Sequence, residues 1–230
     1  MQAGFHLFGT PHLLILASIP ATAAALSCIV RRRPAYGRPV RLALGGLLTT
    51  NELIWYAYLL RQVGWRFPEG LPLQLCELAL WLTVTAAWTL KPWAFEVAYF
   101  TGMGGSTMAL LTPDLRAPYP SYPTIYFFIA HGFVVITLLT LVCGGLAKLR
   151  HRCVRRAFLA LNGFAALAGI FDAVFRTNYM YLCRKPAGAS LLNYFGPWPL
   201  YIGIGELLAF GIFWLLWLPF RHHSTGQVTR

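Results

Sequence analysis

The sequence predicts an all-α membrane protein: a bundle of seven transmembrane helices, N-terminus outside and C-terminus cytoplasmic, forming one domain over residues 1–230. Three observations lead there. Hydrophobic residues make up 57% of the chain and charged residues 11%, against roughly 45–50% and 25% in a soluble domain. The apolar residues gather in runs of the roughly 20 residues that a spanning helix requires. The 19 Lys and Arg concentrate in alternate short loops, the pattern of a chain threaded back and forth across a bilayer.

The same numbers exclude other classes. A soluble fold of this size could not cover its surface with so few charges. A disordered chain is poor in large apolar residues, and this one is rich in them. Five cysteines, an odd number scattered along the chain, argue against a secreted disulfide scaffold. The formal net charge of +12 would suggest nucleic acid in a soluble protein. Here the basic loops fit the membrane, and no nucleic acid is expected.

Taken in order, the spans run from about His12 to Val30, Leu42 to Leu60, Leu71 to Leu90 and Trp93 to Leu111. They continue from Pro123 to Leu146, Ala157 to Tyr181 and Pro197 to Leu218. Pro34 and Pro39 separate the first two. Pro68 and Pro72 bracket the start of the third, with Pro72 suited to a first helical turn. Thr112-Pro113-Asp114 stops the fourth, and Pro118, Pro120 and Pro123 fill the next loop. Pro197 and Pro199 open the seventh.

The loop after the first span carries Arg31, Arg32, Arg33, Arg38 and Arg41. The loop after the fifth carries Lys148, Arg150, Arg152, Arg155 and Arg156. With Lys91, Arg221 and Arg230 they put thirteen cations on one side. Arg61, Arg66, Arg116, Arg176, Arg184 and Lys185 lie on the other. The richer side is expected to be cytoplasmic. A cleaved leader is the rival for the first span, whose stretch Ala21 to Ala25 could pass for a cleavage site. No Lys or Arg precedes that apolar run and three follow it, the reverse of a signal peptide. The tail from His222 reads as disordered.

Ionisable groups at membrane depth are costly, so each is a functional candidate. Asn51 and Glu52 sit mid-depth in the second span, and Cys76 and Glu77 one turn into the third. Glu96 lies near the inner end of the fourth, His131 two turns into the fifth, Asp172 and Arg176 on the sixth, and Glu206 in the seventh. Asp172 and Arg176, four apart, read as a structural ion pair. Glu96 reads as reaching the interface, and Glu206 as a hydrogen-bonding partner of another helix. The remainder cluster toward the outer side: His12, Cys76, His131, then Asn178, Tyr179 and Tyr181, then Asn193 and Trp198. The proline- and tyrosine-rich stretch Leu111 to Ile125 reads as a cap over them.

Cys76 near a helix start and His131 on a neighbouring span are the minimum for nucleophilic acyl transfer. The histidine would take the thiol proton and return it to a leaving group. Asn178, Tyr179, Asn51 or backbone N–H groups would face the oxyanion. A cysteine in a membrane helix is also a small apolar filler, the reading given to Cys28 and Cys143. His12, Cys76, Glu77 and His131 are zinc-ligand types, but no HxxxH or CxxC spacing accompanies them. Ser106 ends Ala98-x-x-x-Gly102-x-x-x-Ser106, a spacing that marks close helix packing. A non-catalytic receptor or transporter for a small ligand and a metal-dependent lipid hydrolase are the alternatives left open.

Several blocks resemble the YwaF-like integral membrane family. They are Phe8-Gly9-Thr10-Pro11-His12, Leu71-Pro72-Leu73-Gln74-Leu75-Cys76-Glu77, Leu110-Leu111-Thr112-Pro113-Asp114-Leu115 and Phe127-Phe128-Ile129-Ala130-His131-Gly132. Thr177-Asn178-Tyr179-Met180-Tyr181-Leu182 with Lys185-Pro186, and Gly196-Pro197-Trp198-Pro199, complete the set. Gln74 stands where bacterial members often carry His. The family is similar to a vertebrate transmembrane acyltransferase acting on lysophospholipids. The resemblance implies acyl transfer from a phospholipid to a lysophospholipid without acyl-CoA, through a thioester on Cys76 with His131 as base and acid. His12, Asn51, Glu52, Glu77, Asn178 and Tyr179 are the expected supporting residues. No cofactor, metal or protein partner is implied, and the expected location is the plasma or cytoplasmic membrane, with the site toward the outer leaflet.

Overall fold

The computed structural model describes residues 5–115, 119–186 and 191–223. Among them are seven α-helices and no strand: α1 (Thr10–Arg32), α2 (Gly37–Val63), α3 (Leu75–Thr89), α4 (Pro92–Leu111), α5 (Tyr122–Cys143), α6 (Cys153–Phe175) and α7 (Leu200–Trp217). Each answers to one expected span. By length and composition, α1, α5, α6 and α7 suffice to cross a membrane. Helix α2 is diluted by Asn51-Glu52 at its middle and by arginines at both ends. Helix α3 has only 15 residues, a rise of about 22 Å.

The outward faces explain the excess of apolar residues. Leu167 on α6 is 68% exposed and Leu207 on α7 is 73% exposed. Ile170, Val174 and Leu215 are similarly bare. Contiguous exposed apolar surface of this kind belongs against lipid. The protein is an integral membrane protein.

Hydrogen bonds between chain-distant segments define the two ends of the bundle. At one end, Arg31 at the close of α1 donates to the carbonyl of Cys143 at the close of α5. Arg41, early in α2, donates to the carbonyls of Ala87 and Trp88, late in α3, at 2.6 and 2.7 Å. Tyr99 in α4 donates to Leu216 O in α7. At the opposite end, His12 of α1 bonds Leu110 O of α4, and Tyr179 beyond α6 ties to the α2–α3 connection. The helices therefore alternate in direction.

The core lies where α3, α4 and α5 meet. Phe95, Phe100, Leu138 and Leu141 are fully buried there. The small-residue stripe of α4 packs as its spacing predicted: Ala98 and Gly102 are buried. A Cβ on Gly102 would meet Leu138 at 2.7 Å and Val134 at 2.9 Å, so a larger residue here would have to displace those two side chains of α5. Helix α1 lays Ile19 into a second cluster with Phe128 and Val135, so it packs as part of the bundle.

Four expectations need correction. Pro72 lies ahead of α3, not in its first turn. The helix begins at Leu75 after Gln74 in extended conformation, and Cys76 and Glu77 fall within the first turn. The sixth helix stops at Phe175 instead of Tyr181, because Arg176 turns left-handed at φ 58°. The chain then folds back. That reversal removes the i, i+4 geometry, and Asp172 has no ion pair with Arg176. It accepts from Thr177 Oγ1 at 2.5 Å and from Tyr179 N at 2.8 Å. Finally, His222 and His223 close a 3-10 helix over Leu218–His223; the rest of the tail, 224–230, lies outside the described residues.

Candidate functional site

A cavity of about 30 Å³ opens between α2, α3, α4 and α5 in the half of the bundle that carries the α2–α3 and α4–α5 connections. Its walls bring together Glu52, Cys76, Glu77, Ser106, Tyr126 and His131, with Leu80, Ala130 and Val134 as the apolar remainder. It holds about one or two waters, or the carbonyl end of a reacting ester.

Helix α3 sets the thiol. Glu77, third in the helix, accepts from Gln74 N at 3.2 Å. That reciprocal cap fixes the start of the helix and leaves Cys76 in the first turn, where unpaired N–H groups and the helix dipole favour negative charge. Gln74 Oε1 accepts from Met180 N at 3.0 Å, so the folded-back segment after α6 grips the same helix end. Cys76 is exposed while lining the cavity, so a reactant can approach the sulfur from outside the bundle.

Helix α5 sets the imidazole. His131 is 9% exposed. Its Nδ1 lies 2.8 Å from Phe127 O, one turn back. A carbonyl only accepts, so Nδ1 carries the hydrogen and Nε2 keeps its lone pair. Nε2 is buried and has no hydrogen-bond partner. Phe127 packs on the ring with centroids 4.3 Å apart, which further limits its rotation.

Glu52 comes from the middle of α2 and is wholly buried. Tyr126 Oη donates to Glu52 Oε2 at 2.7 Å, and the Tyr126 ring stacks on Trp55 with centroids 4.2 Å apart. Glu52 Oε1 has no partner. The cavity thus joins an accessible thiol, an imidazole with a free nitrogen, and a carboxylate with a free oxygen. Buried polar atoms are rarely left unbonded unless a role or a ligand accounts for them.

The structure does not bring the remaining candidates here. His12 is buried at the start of α1, with Nε2 2.8 Å from Leu110 O and Nδ1 accepting from Phe8 N; it fastens α1 to the end of α4. Asn51, next to Glu52, lies outside the cavity lining, and its Nδ2 is buried without a partner. Asn178 Oδ1 accepts from Cys183 N and Arg184 N, while its Nδ2 donates to Arg184 O. Tyr179 Oη donates to Pro68 O at 2.8 Å and accepts from Leu71 N at 3.0 Å. These are fastenings between loops. Trp198 Nε1 donates to Leu182 O. The expected cap, Leu111 to Ile125, falls partly on residues 116–118, outside the described residues; Tyr119 rests on Phe5, and Ser121 and Thr124 start α5.

Two cavity residues were not among the expected site residues. Ser106 carried a packing signature, and the stripe is real. But its last member turns to the cavity. Tyr126 sits five residues before a lone histidine in an aromatic run. The i, i−5 offset to His131 and the mid-span Glu52 were the available signals. Among the described residues, no group of three His, Cys, Asp or Glu side chains is placed to hold a metal ion. Glu206 has the role expected of it, accepting from Asn162 Nδ2 on α6 at 2.9 Å.

A sequence model of the TMEM164 family matches residues 7–217, and the chain belongs to that family. No curated protein and no solved structure matches it.

Proposed function

We propose that this member of the TMEM164 family is a membrane-embedded lipid acyltransferase, moving a fatty acyl chain from a phospholipid to a lysophospholipid through a thioester on Cys76. The observation that carries the reading is the meeting of an accessible Cys76 with His131, whose Nε2 is buried and unpartnered, in one cavity. All seven helices cross the bilayer, and the end bearing Arg31, Arg41 and Arg150 is cytoplasmic. The cavity then opens toward the outer leaflet of the plasma or cytoplasmic membrane.

Two half-reactions follow. The thiol gives its proton to His131 Nε2, and the sulfur attacks the ester carbonyl carbon of the donor phospholipid. The ester C–O bond breaks, and the leaving alkoxide takes the proton from Nε2 and departs as a lysophospholipid. A second lysophospholipid then gives its hydroxyl proton to Nε2 and attacks the thioester carbon. The C–S bond breaks, the product phospholipid leaves, and the thiolate recovers the proton. No acyl-CoA and no cofactor enter the balance. Glu52, held by Tyr126, lines the same cavity and is the carboxylate that would lower the cost of the imidazolium formed in each half.

The test is mass spectrometry of purified protein after incubation with a defined phosphatidylcholine. An acyl adduct on Cys76, discharged by added labelled lysophosphatidylcholine, is the expected result. No adduct on folded protein at saturating phospholipid would transfer the weight to a non-catalytic ligand-binding bundle.

A further inference from the structure

A second, larger cavity of about 250 Å³ lies between α4, α6 and α7, roofed by Leu192 and Phe195. Its lining is apolar apart from Thr101, whose hydroxyl is already bonded to Val97 O at 2.7 Å. On α6 and α7, Asn162 Nδ2 donates to Phe158 O and to Glu206 Oε2, and neither Asn162 nor Glu206 lines the groove. A groove lined this way has no free polar side chain to offer a polar ligand, and a hydrocarbon chain is the matching occupant.

Glycines form its floor: Gly104 and Gly105 on α4, Gly205 on α7. A Cβ on Gly205 would meet nothing within 4 Å. Glycine inside a helix costs about 1 kcal/mol against alanine, so a glycine with empty space before it is not kept by packing. The groove also abuts the reactive cavity. Leu75 lines it and immediately precedes Cys76; Gly105 lines it and immediately precedes Ser106. The Leu75 side chain lies over Gly105, 3.9 Å from where a Cβ would stand, at the boundary of the two spaces. From Met108 to Thr101 the groove descends about 10 Å along α4, away from the depth of Cys76 and toward the middle of the bundle. An acyl chain attached near an outer interface runs the same way.

We propose that this groove holds the hydrocarbon tail of the acyl group carried on Cys76, and that Gly205 keeps it open. The inference rests on the acyl-transfer reading above. It makes chain-length selectivity a property of α7, remote from the thiol.

Gly205→Leu fills the groove, and Gly203→Leu, on the exposed side of the same helix with equally open space before it, is the control. Purified proteins in phosphatidylcholine vesicles are compared on octanoyl and oleoyl donors. Gly205→Leu is expected to lose tenfold or more of oleoyl transfer while keeping octanoyl transfer within about threefold, and Gly203→Leu to leave both unchanged. Equal loss on both donors, or none, overturns the proposal. A phosphatidylcholine carrying a diazirine in its fatty chain gives a readout independent of turnover. Photolabelling of the groove residues Met108 and Ile212 is expected in the parent chain and lost in Gly205→Leu. If Cys76 takes no acyl group yet this labelling pattern holds, acyl transfer fails and the chain site stands. If Cys76 is acylated and the labelling ignores Gly205→Leu, the chain site fails and transfer stands.

Discussion

Two buried carboxylates, Glu52 and Glu96, lie in opposite halves of the same bundle and have opposite surroundings. Glu96 is 1% exposed at its side chain and is gripped by two guanidinium groups. Arg150 donates to both its oxygens at 2.8 and 3.1 Å and adds its backbone N–H; Arg156 donates to both at 2.8 and 2.9 Å. The carboxylate in turn holds the Arg150 guanidinium further above its ordinary range. Every lone pair is engaged. Glu52 has one phenol on one oxygen and nothing on the other, in the same cavity as an imidazole nitrogen that is likewise unengaged. A satisfied buried charge locks loops to helices. Glu52 keeps one oxygen free in the cavity it shares with Cys76 and His131, where the proposed reaction would use it.

The comparison is broken most sharply at Cys76. Its exposure means that Cys76→Ala should unfold at the parent temperature, with stability changed by less than about 0.5 kcal/mol, while the acyl adduct and transfer vanish. Transfer that survives in folded Cys76→Ala would make the thiol a bystander.

At His131 the expected loss is about 10²–10⁴-fold in transfer rate, the range for removing a general base. His131→Gln, close in volume, separates chemistry from packing. It should lose rate as His131→Ala does, with a smaller change in melting temperature. Recovery of rate in His131→Gln would assign the imidazole to packing instead.

In the other half the expected effect is on stability alone. The double variant Arg150→Ala/Arg156→Ala strands a buried carboxylate, at about 3–5 kcal/mol. Glu96→Gln should cost less, because the half-exposed arginines can turn to water. Denaturant unfolding in detergent reads the difference. A double variant no less stable than Glu96→Gln would mean that water already reaches Glu96.

Much of the fold was legible because hydrophobic runs and prolines are local signals. All seven helices stand where runs of about twenty apolar residues put them. The errors lie at the ends, where tertiary contacts decide. Leu71 to Gln74 stays outside the helix, where Tyr179 and Met180 bond to it, and α6 stops early where Asp172 bonds forward to Thr177 and Tyr179. The site was half legible. Cys76, Glu77, His131 and Glu52 stand out as polar types in apolar helices, and all four line the cavity. Distance along the membrane normal can be read from sequence; the angular position of each helix in the bundle cannot. His12 and Asn178 share the depth of Cys76 but belong to helices or loops that do not line the cavity. Ser106 and Tyr126, ordinary in sequence, do.

Tyr179 gives the finest test of that distinction, because it shares the outer depth and the residue type of an oxyanion donor. Its hydroxyl is already occupied, donating to Pro68 O and accepting from Leu71 N, so it has no hydrogen left to offer a substrate. Tyr179→Phe removes two hydrogen bonds at a partly buried junction that water can re-enter, at about 1 kcal/mol of stability. The thiol and imidazole stay in place, so transfer by the folded fraction should fall by less than about threefold. An oxyanion donor would behave in the opposite way, losing about 10²–10³-fold in rate at an almost unchanged melting temperature. Measuring both quantities on one preparation decides whether this tyrosine belongs with Glu96 among the fastenings or with His131 among the reacting groups; the two bonds it already makes place it with Glu96.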